Sequence, residues 1–151
     1  MPLKDLSATA SGVAGAAIER CYALLEDVER YPQWYPTGAR SALVLARDGE
    51  GVATMVDAVL AVAAGPLRRE FRMRLAVQRE PPGRIALLRV ADDRGDHELL
   101  TVVWSLRALG DARTELGVQL SARLDVPRLV PGDAVAREVA SGFLQAALRA
   151  L

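Results

Sequence analysis

One cysteine, one histidine and one lysine are all that this chain of 151 residues holds of three side chains that often carry chemistry. A lone cysteine, Cys21, excludes an internal disulfide. With His97 as the only imidazole, a Cys/His zinc site is excluded too, and no acidic loop has the spacing of a calcium site. Apart from Lys4, every cation is an arginine. Lys+Arg and Asp+Glu number 19 each, and the formal charge is zero. The arginines are scattered, so nucleic acid is not expected as a partner, because phosphate binding needs a basic footprint. No apolar run approaches the roughly eighteen residues of a membrane span. The longest mild run, Val52 to Pro66, contains Asp57 and alternates like a strand. Met1 to Asp5 has no basic start leading into an apolar run, so no secretory signal is expected and the cytoplasm is the default. No catalytic triad, Gly-rich phosphate loop or paired-carboxylate motif is present, and no cofactor is expected.

What is present is periodicity. Hydrophobic residues make up 51% and charged residues 25% of the chain, ordinary values for one globular domain over residues 1–151. Leu6 to Val13 reads as a first strand. From Ala16 to Val28, Ile18, Cys21, Tyr22, Leu25 and Val28 recur at the spacing of one helical face. Cys21 on that face reads as a small core residue. Pro32 and Pro36 then allow only short helical pieces. Between and beside them stand Tyr31, Trp34 and Tyr35, a dense group in a chain with only 5% aromatics.

Thereafter the period changes to two. Strands are expected over 40–47, 52–62, 67–79, 84–90, 97–107 and 114–126. They are separated by Asp48-Gly49-Glu50-Gly51, Gly65-Pro66, Pro81-Pro82-Gly83, Asp92 to Asp96, and Gly110-Asp111. Leu67 to Arg79 alternates most clearly, with Phe71, Met73, Leu75 and Val77 on one face and Arg68, Glu70, Arg72 and Arg74 on the other. Short turns between consecutive strands imply an antiparallel meander. Pro127 and Pro131 end it, and a helix is expected from Gly132 to Leu151 with Val135, Val139 and Phe143 on its stripe.

Each strand has one apolar face, so the sheet needs one cover, and the last helix is the long candidate. That helix carries Ala134, Ala136, Ala140, Ser141, Gly142, Ala146 and Ala147. Small residues of this kind suit two arrangements: close packing on the sheet, or an unfilled interior that a bound apolar molecule would complete. Periodicity alone does not choose between them.

The string Leu25-Glu26-Asp27-Val28-Glu29-Arg30-Tyr31-Pro32-Gln33-Trp34-Tyr35-Pro36 resembles the opening motif of the START-like, or SRPBCC, superfamily. Trp104-Ser105-Leu106 followed by Gly110 and Thr114 resembles a hairpin of the same group, and the late proline turn and long helix match it as well. Ala14-Gly15-Ala16 departs from the proline often found before the first helix. The resemblance implies an α+β helix-grip fold of the START/Bet v 1 type: a curved antiparallel sheet of six to seven strands wrapped around the C-terminal helix, with two short helices after the first strand. It implies a soluble bacterial protein with a hydrophobic small-molecule ligand; the sequence is compatible with a monomer or a homodimer. Two branches are nearest, the polyketide cyclases/dehydrases and the coenzyme Q-binding-like proteins. The first reading is therefore a binder of a lipid, quinone or polyketide-like molecule. The second is an enzyme that cyclises or dehydrates a poly-ketone chain.

The enzyme reading requires a base beside a carbonyl and donors for the enolate. Asp57, Tyr35 and His97 are the acid–base candidates. Asp57 sits in a strand with apolar residues on both faces: inward its pKa would rise, outward it would pair with an arginine of the next strand. His97 adjoins a charged turn and reads more simply as solvated. Arg69 and Arg79 share parity with Phe71, which suits contact with an anionic group or a side chain reaching water. The expected ligand wall is Tyr31, Trp34, Tyr35, Met55, Arg69, Phe71, Met73, Trp104, Val139 and Phe143. Trp104 suits core and wall equally well.

Overall fold

The computed structural model describes residues 3–64, 67–91, 97–127 and 129–151. The turns expected at Gly65-Pro66 and Asp92 to Asp96 lie outside the described residues. Strand β1 (Leu3–Ala14) leads into helix α1 (Ile18–Glu26), a 3-10 turn (Val28–Arg30) and the short helix α2 (Tyr31–Trp34). Strands follow in β2 (Ala39–Arg47), β3 (Ala53–Ala64), β4 (Leu67–Glu80), β5 (Arg84–Arg89), β6 (Leu99–Gly110) and β7 (Arg113–Asp125), and helix α3 (Gly132–Ala150) closes the chain. The strands form one antiparallel sheet in the order β1-β7-β6-β5-β4-β3-β2. The meander is thus the one that the short turns require, and β1 completes it by pairing with β7 from Leu3↔Asp125 to Ala14↔Thr114.

The turns follow local chemistry. Asp48 Oδ1 accepts from the backbone N–H groups of Glu50 (2.8 Å) and Val52 (3.1 Å), and Gly51 takes φ +84°, a conformation open to glycine without steric cost. Edge strand β2 departs from regular pairing with β3 between Ala39 and Ser41 and between Val44 and Arg47. Such irregularities bend an edge and make it a poorer template for another strand.

The outer face of the sheet is laced by exposed cross-strand ion pairs. Arg74 Nε meets Asp57 Oδ1 at 3.0 Å, Arg107 meets Glu115 at 3.1 Å, and Arg123 meets Asp5 at 2.8 Å. Each contributes little to stability, because exposed pairs are screened and cost side-chain entropy. Their use is to keep that face wet.

The inner face is filled from two directions. Helix α1 packs against β6 and β7 and buries Cys21, Tyr22 and Leu25. The buried Thr114 hydroxyl donates to the Ala16 carbonyl at 2.8 Å and fixes the start of α1 on β7. At the other end of α1, Arg79 is 18% exposed and pairs with Glu26 (2.9 Å) and with Asp48. One guanidinium thereby ties α1, the β2–β3 turn and β4 together. Helix α3 leans on β1: an added Cβ on Gly12 would lie 3.0 Å from Leu148, and one on Gly132 2.9 Å from Leu6. The small residues of this region do allow close packing, but chiefly at the β1 side.

Trp104 is fully buried on β6, at the half of the sheet that α1 fills, and meets Phe143 edge-on with centroids 4.9 Å apart. Trp104→Ala should cost roughly 3–5 kcal/mol; urea unfolding with a loss under about 1 kcal/mol would refute the placement. Asp48 supplies a pH dependence. The N–H groups of Val52 and Glu50 and the Arg79 guanidinium hold its carboxyl below the usual carboxylate range. Its folded pKa is depressed, so its contribution is present above the ordinary carboxylate pKa and is lost as pH falls below it. The gap in urea midpoint between the native protein and Asp48→Asn should therefore close on acidification through that range. A gap that stays constant with pH would count against it.

Candidate functional site: an apolar cavity behind an aromatic cluster

Because α1 covers one half of the curved inner face, the other half is left to the N-terminal part of α3. The side chains there are Val135, Ala136, Val139 and Ala140, none long enough to reach the concave sheet everywhere. An apolar cavity of about 90 Å3 remains. Its sheet side is Ala58, Leu60 and Val62 of β3, Phe71, Met73 and Leu75 of β4, Leu100 and Val102 of β6, and Leu120, Ala122 and Leu124 of β7. Val135, Ala136, Val139 and Phe143 form its helix side, and Tyr31, Tyr35, Gly38 and Ala39 one end. The wall is hydrocarbon almost throughout. A void of this size costs about 2 kcal/mol at roughly 24 cal/mol per Å3, a cost that a bound apolar group would offset.

The aromatic end is organised by Phe143, in the middle of α3. Tyr31 meets it edge-on at 5.5 Å, Trp34 stacks on it at 5.6 Å, and Tyr35 stacks on it at 5.0 Å with an interplanar angle of 18°. With Trp104 below, this gathers every aromatic side chain of the protein except Tyr22 and Phe71. Pro32 in the first turn of α2 suits a helix start, and Pro36 follows its end, so the tyrosines and Trp34 are projected from a single turn. Tyr31 is fully enclosed: its hydroxyl donates to the Leu25 carbonyl at 2.5 Å, and burial pushes its pKa far up. Burial also raises the Tyr35 phenol. Both are neutral donors at ordinary pH, not bases.

Tyr35 fits where it does because of two glycines. A Cβ on Gly38 would lie 2.2 Å from its ring, and one on Gly142 3.1 Å from its hydroxyl. The sequence pattern does not single out either glycine; their signal is visible only once the ring is seen against them.

The sequence-predicted residues divide. Tyr31, Tyr35, Phe71, Met73, Val139 and Phe143 border the cavity; Trp34, Met55, Arg69 and Trp104 do not. Trp34 stacks behind Phe143 and Tyr35. Met55 falls on the outer face because strand alternation places it with Asp57. Trp104 has the inward parity but stands at the end occupied by α1. Arg69 bends to the end of β7, where it donates to the Asp125 carbonyl at 2.5 Å and lies 5.3 Å above the Phe71 ring. It braces the sheet there.

Of the acid–base candidates, only Tyr35 is at the cavity. Asp57 is directed away from it and paired with Arg74, since the register sets the two residues opposite each other on the outer face. His97 is exposed ahead of β6. Residues missed by the sequence reading, such as Leu100 and Leu120, carry the right parity, but parity does not say which half of an inner face stays uncovered. Among the described residues no group of three His, Cys, Asp or Glu side chains is placed to hold a metal, and no helix is long and apolar enough to cross a membrane.

Residues 15–151 match the family described as polyketide cyclase/dehydrase and lipid transport. None of the curated proteins matches the sequence. Among solved structures, a START superfamily protein from Mycobacterium smegmatis superposes with a TM-score of 0.69 at 25% identity, covering 95% of this chain and 92% of that one. A protein from Thermus thermophilus superposes with a TM-score of 0.71 at 18% identity, covering 95% and 94%. The Zhui aromatase/cyclase from a Streptomyces species gives 0.58 at 16% identity, covering 97% and 86%. The order of the strands, the grip of the sheet on α3 and these matches agree: the chain is a START-like helix-grip protein and belongs to the polyketide cyclase/dehydrase and lipid transport family.

Proposed function

We propose that this protein is a cytoplasmic, one-domain binder of a hydrophobic small molecule, of lipid, quinone or polyketide-like character, which it holds between the sheet and α3. The observation that carries this reading is the apolar cavity itself. It is enclosed on the sheet side by side chains of β3, β4, β6 and β7 and bordered by hydrocarbon. Apolar voids stay dry and accept apolar guests, and filling one regains dispersion contacts. The second reading, acid–base cyclisation or dehydration of a poly-ketone chain, is favoured by the family description. It would fall to the Tyr35 phenol, since the Tyr31 hydroxyl, which also borders the cavity, is engaged by the Leu25 carbonyl; both are held neutral by burial. Such groups polarise a carbonyl by hydrogen bonding but do not abstract a proton at neutral pH. Holding is thus better supported than turnover.

Native mass spectrometry of protein purified from its own host, followed by solvent extraction, tests the reading directly. A stoichiometric lipophilic adduct is expected. Ala136→Leu, which places a larger side chain in the cavity wall, should abolish the adduct and the uptake of a lipophilic dye while leaving the fold intact. A bare mass, no dye uptake and slow hydrogen exchange throughout the interior would mean that the small residues are packing devices and that the ligand reading is wrong.

A further inference from the structure

The cavity is small beside the ligands of its class. An engineered apolar cavity of about 150 Å3 accommodates benzene, and this one measures about 90 Å3. Beyond its aromatic end, on the outer flank of α3, lies a second depression of about 670 Å3 that opens to solvent. Its apolar lining includes Ala61 and Ala63 of β3 and Ala134 and Val139 of α3; Arg137, Glu138, Ser141 and Arg149 of α3 make it polar. Three residues border both spaces: Tyr35, Ala61 and Val139. Tyr35 is the one large side chain among them, so it is the partition.

That partition is held by ring contacts alone. Stacking on Phe143 and, at 6.4 Å, on Trp34 keeps the ring in place. Among the described residues its hydroxyl has no hydrogen-bond partner. Moving it therefore breaks ring contacts but no hydrogen bond and no ion pair. Gly38 and Gly142 give the ring the room it occupies, since a Cβ on either would press on it.

The groove also has a charge. Arg137 and Arg149 have no ion-pair partner among the described residues, so their charge is not neutralised by a neighbouring carboxylate. Glu138 leaves a local excess of one positive charge, which suits a monoanion. The two arginines are twelve residues apart on α3, about 18 Å at the helical rise. They flank the groove and do not converge on one point, which suits a carboxylate met by one fork or the other better than a chelated dianion.

Resting on the reading of the cavity as a hydrophobic ligand site, we propose that cavity and groove are the two ends of one amphipathic site. Tyr35 swings aside to join them, and the ligand is a slender carboxylate. Its apolar end enters the cavity, and its anionic end stays in the groove beside the arginines.

Calorimetric titration of the delipidated protein with dodecanoate and with dodecanol, joined to stopped-flow mixing for the rates, tests this. The acid should bind roughly tenfold more tightly than the alcohol, the size of effect expected of one charge-assisted contact. The preference should shrink to about twofold or less in Arg137→Gln/Arg149→Gln and weaken with added salt. Gly38→Ala, whose Cβ displaces the ring, should speed association of both probes severalfold and leave their ratio unchanged; Tyr35→Leu serves the same purpose should the first variant fold poorly. Equal binding of acid and alcohol to the native protein would overturn the anionic end and leave the cavity reading standing. Unchanged association rates in both the Gly38 and the Tyr35 variants would overturn the partition. Failure of folded protein to bind either probe would defeat the cavity reading, and this proposal with it.

Discussion

The packing of Phe143 against four other rings is the contact on which the arrangement of this protein turns. Phe143 stands near the middle of α3, the longest helix among the described residues. Tyr31, Trp34 and Tyr35 come to it from the turn after α1, and Trp104 from the sheet. Aromatic pairs in such tilted and offset geometries add about 0.5–1.5 kcal/mol each beyond the area they bury. A single side chain thereby fixes how far α3 stands from the sheet. On the β1 side the helix is drawn in against Gly12 and Leu6. On the β3 and β4 side it is held off, and beyond Phe143 the helix offers alanine and valine to span the gap. The cavity results from one helix being pinned at its centre and leaning to one side.

The same geometry separates apolar work from charged work. Charged side chains of the strands lie mostly on the convex face, where Arg74, Arg107 and Arg123 pair across strands in water. Where an arginine has the inward parity it is engaged by protein groups at the margins. Arg79 meets Glu26 and Asp48 at the end closed by α1, and Arg69 meets Asp125 at the other. These two clamps hold the sheet curved without placing a charge beside the cavity. A desolvated, unpaired charge there would cost several kcal/mol, and the interior is better suited to retaining an apolar molecule than to ionic chemistry.

Much of this is legible in the chain. Alternation in Leu67 to Arg79 assigns Phe71, Met73 and Leu75 to the inner face and Arg72 and Arg74 to the outer, and the structure agrees. The proline-spaced Tyr31, Trp34 and Tyr35 announce a tight aromatic turn, and the observed turn is there. Where a residue lies in a strand with two apolar faces, the pattern fails. Asp57 has Val56 and Ala58 beside it and Met55 and Val59 two steps away, so composition does not tell inside from outside. Pairing with Arg74 decides, and it takes Met55 outward as well. Trp104 illustrates a second limit. Its parity is inward, yet inward positions divide between the part covered by α1 and the part left open, and that division depends on where a distant helix docks.

Local pattern in the chain suffices for the elements, their order, the antiparallel meander and the exclusion of an internal disulfide and of a Cys/His zinc site. These follow from periodicity, turn residues and the count of cysteine and histidine, which need no long-range information. The three-dimensional packing was needed to show that the small residues of α3 serve both close approach to β1 and an open space opposite. It set Tyr35 between Gly38 and Gly142 and kept the carboxylate and imidazole candidates away from the cavity. Those outcomes depend on distances between segments far apart in the chain, and a void is defined by the atoms that fail to meet across it.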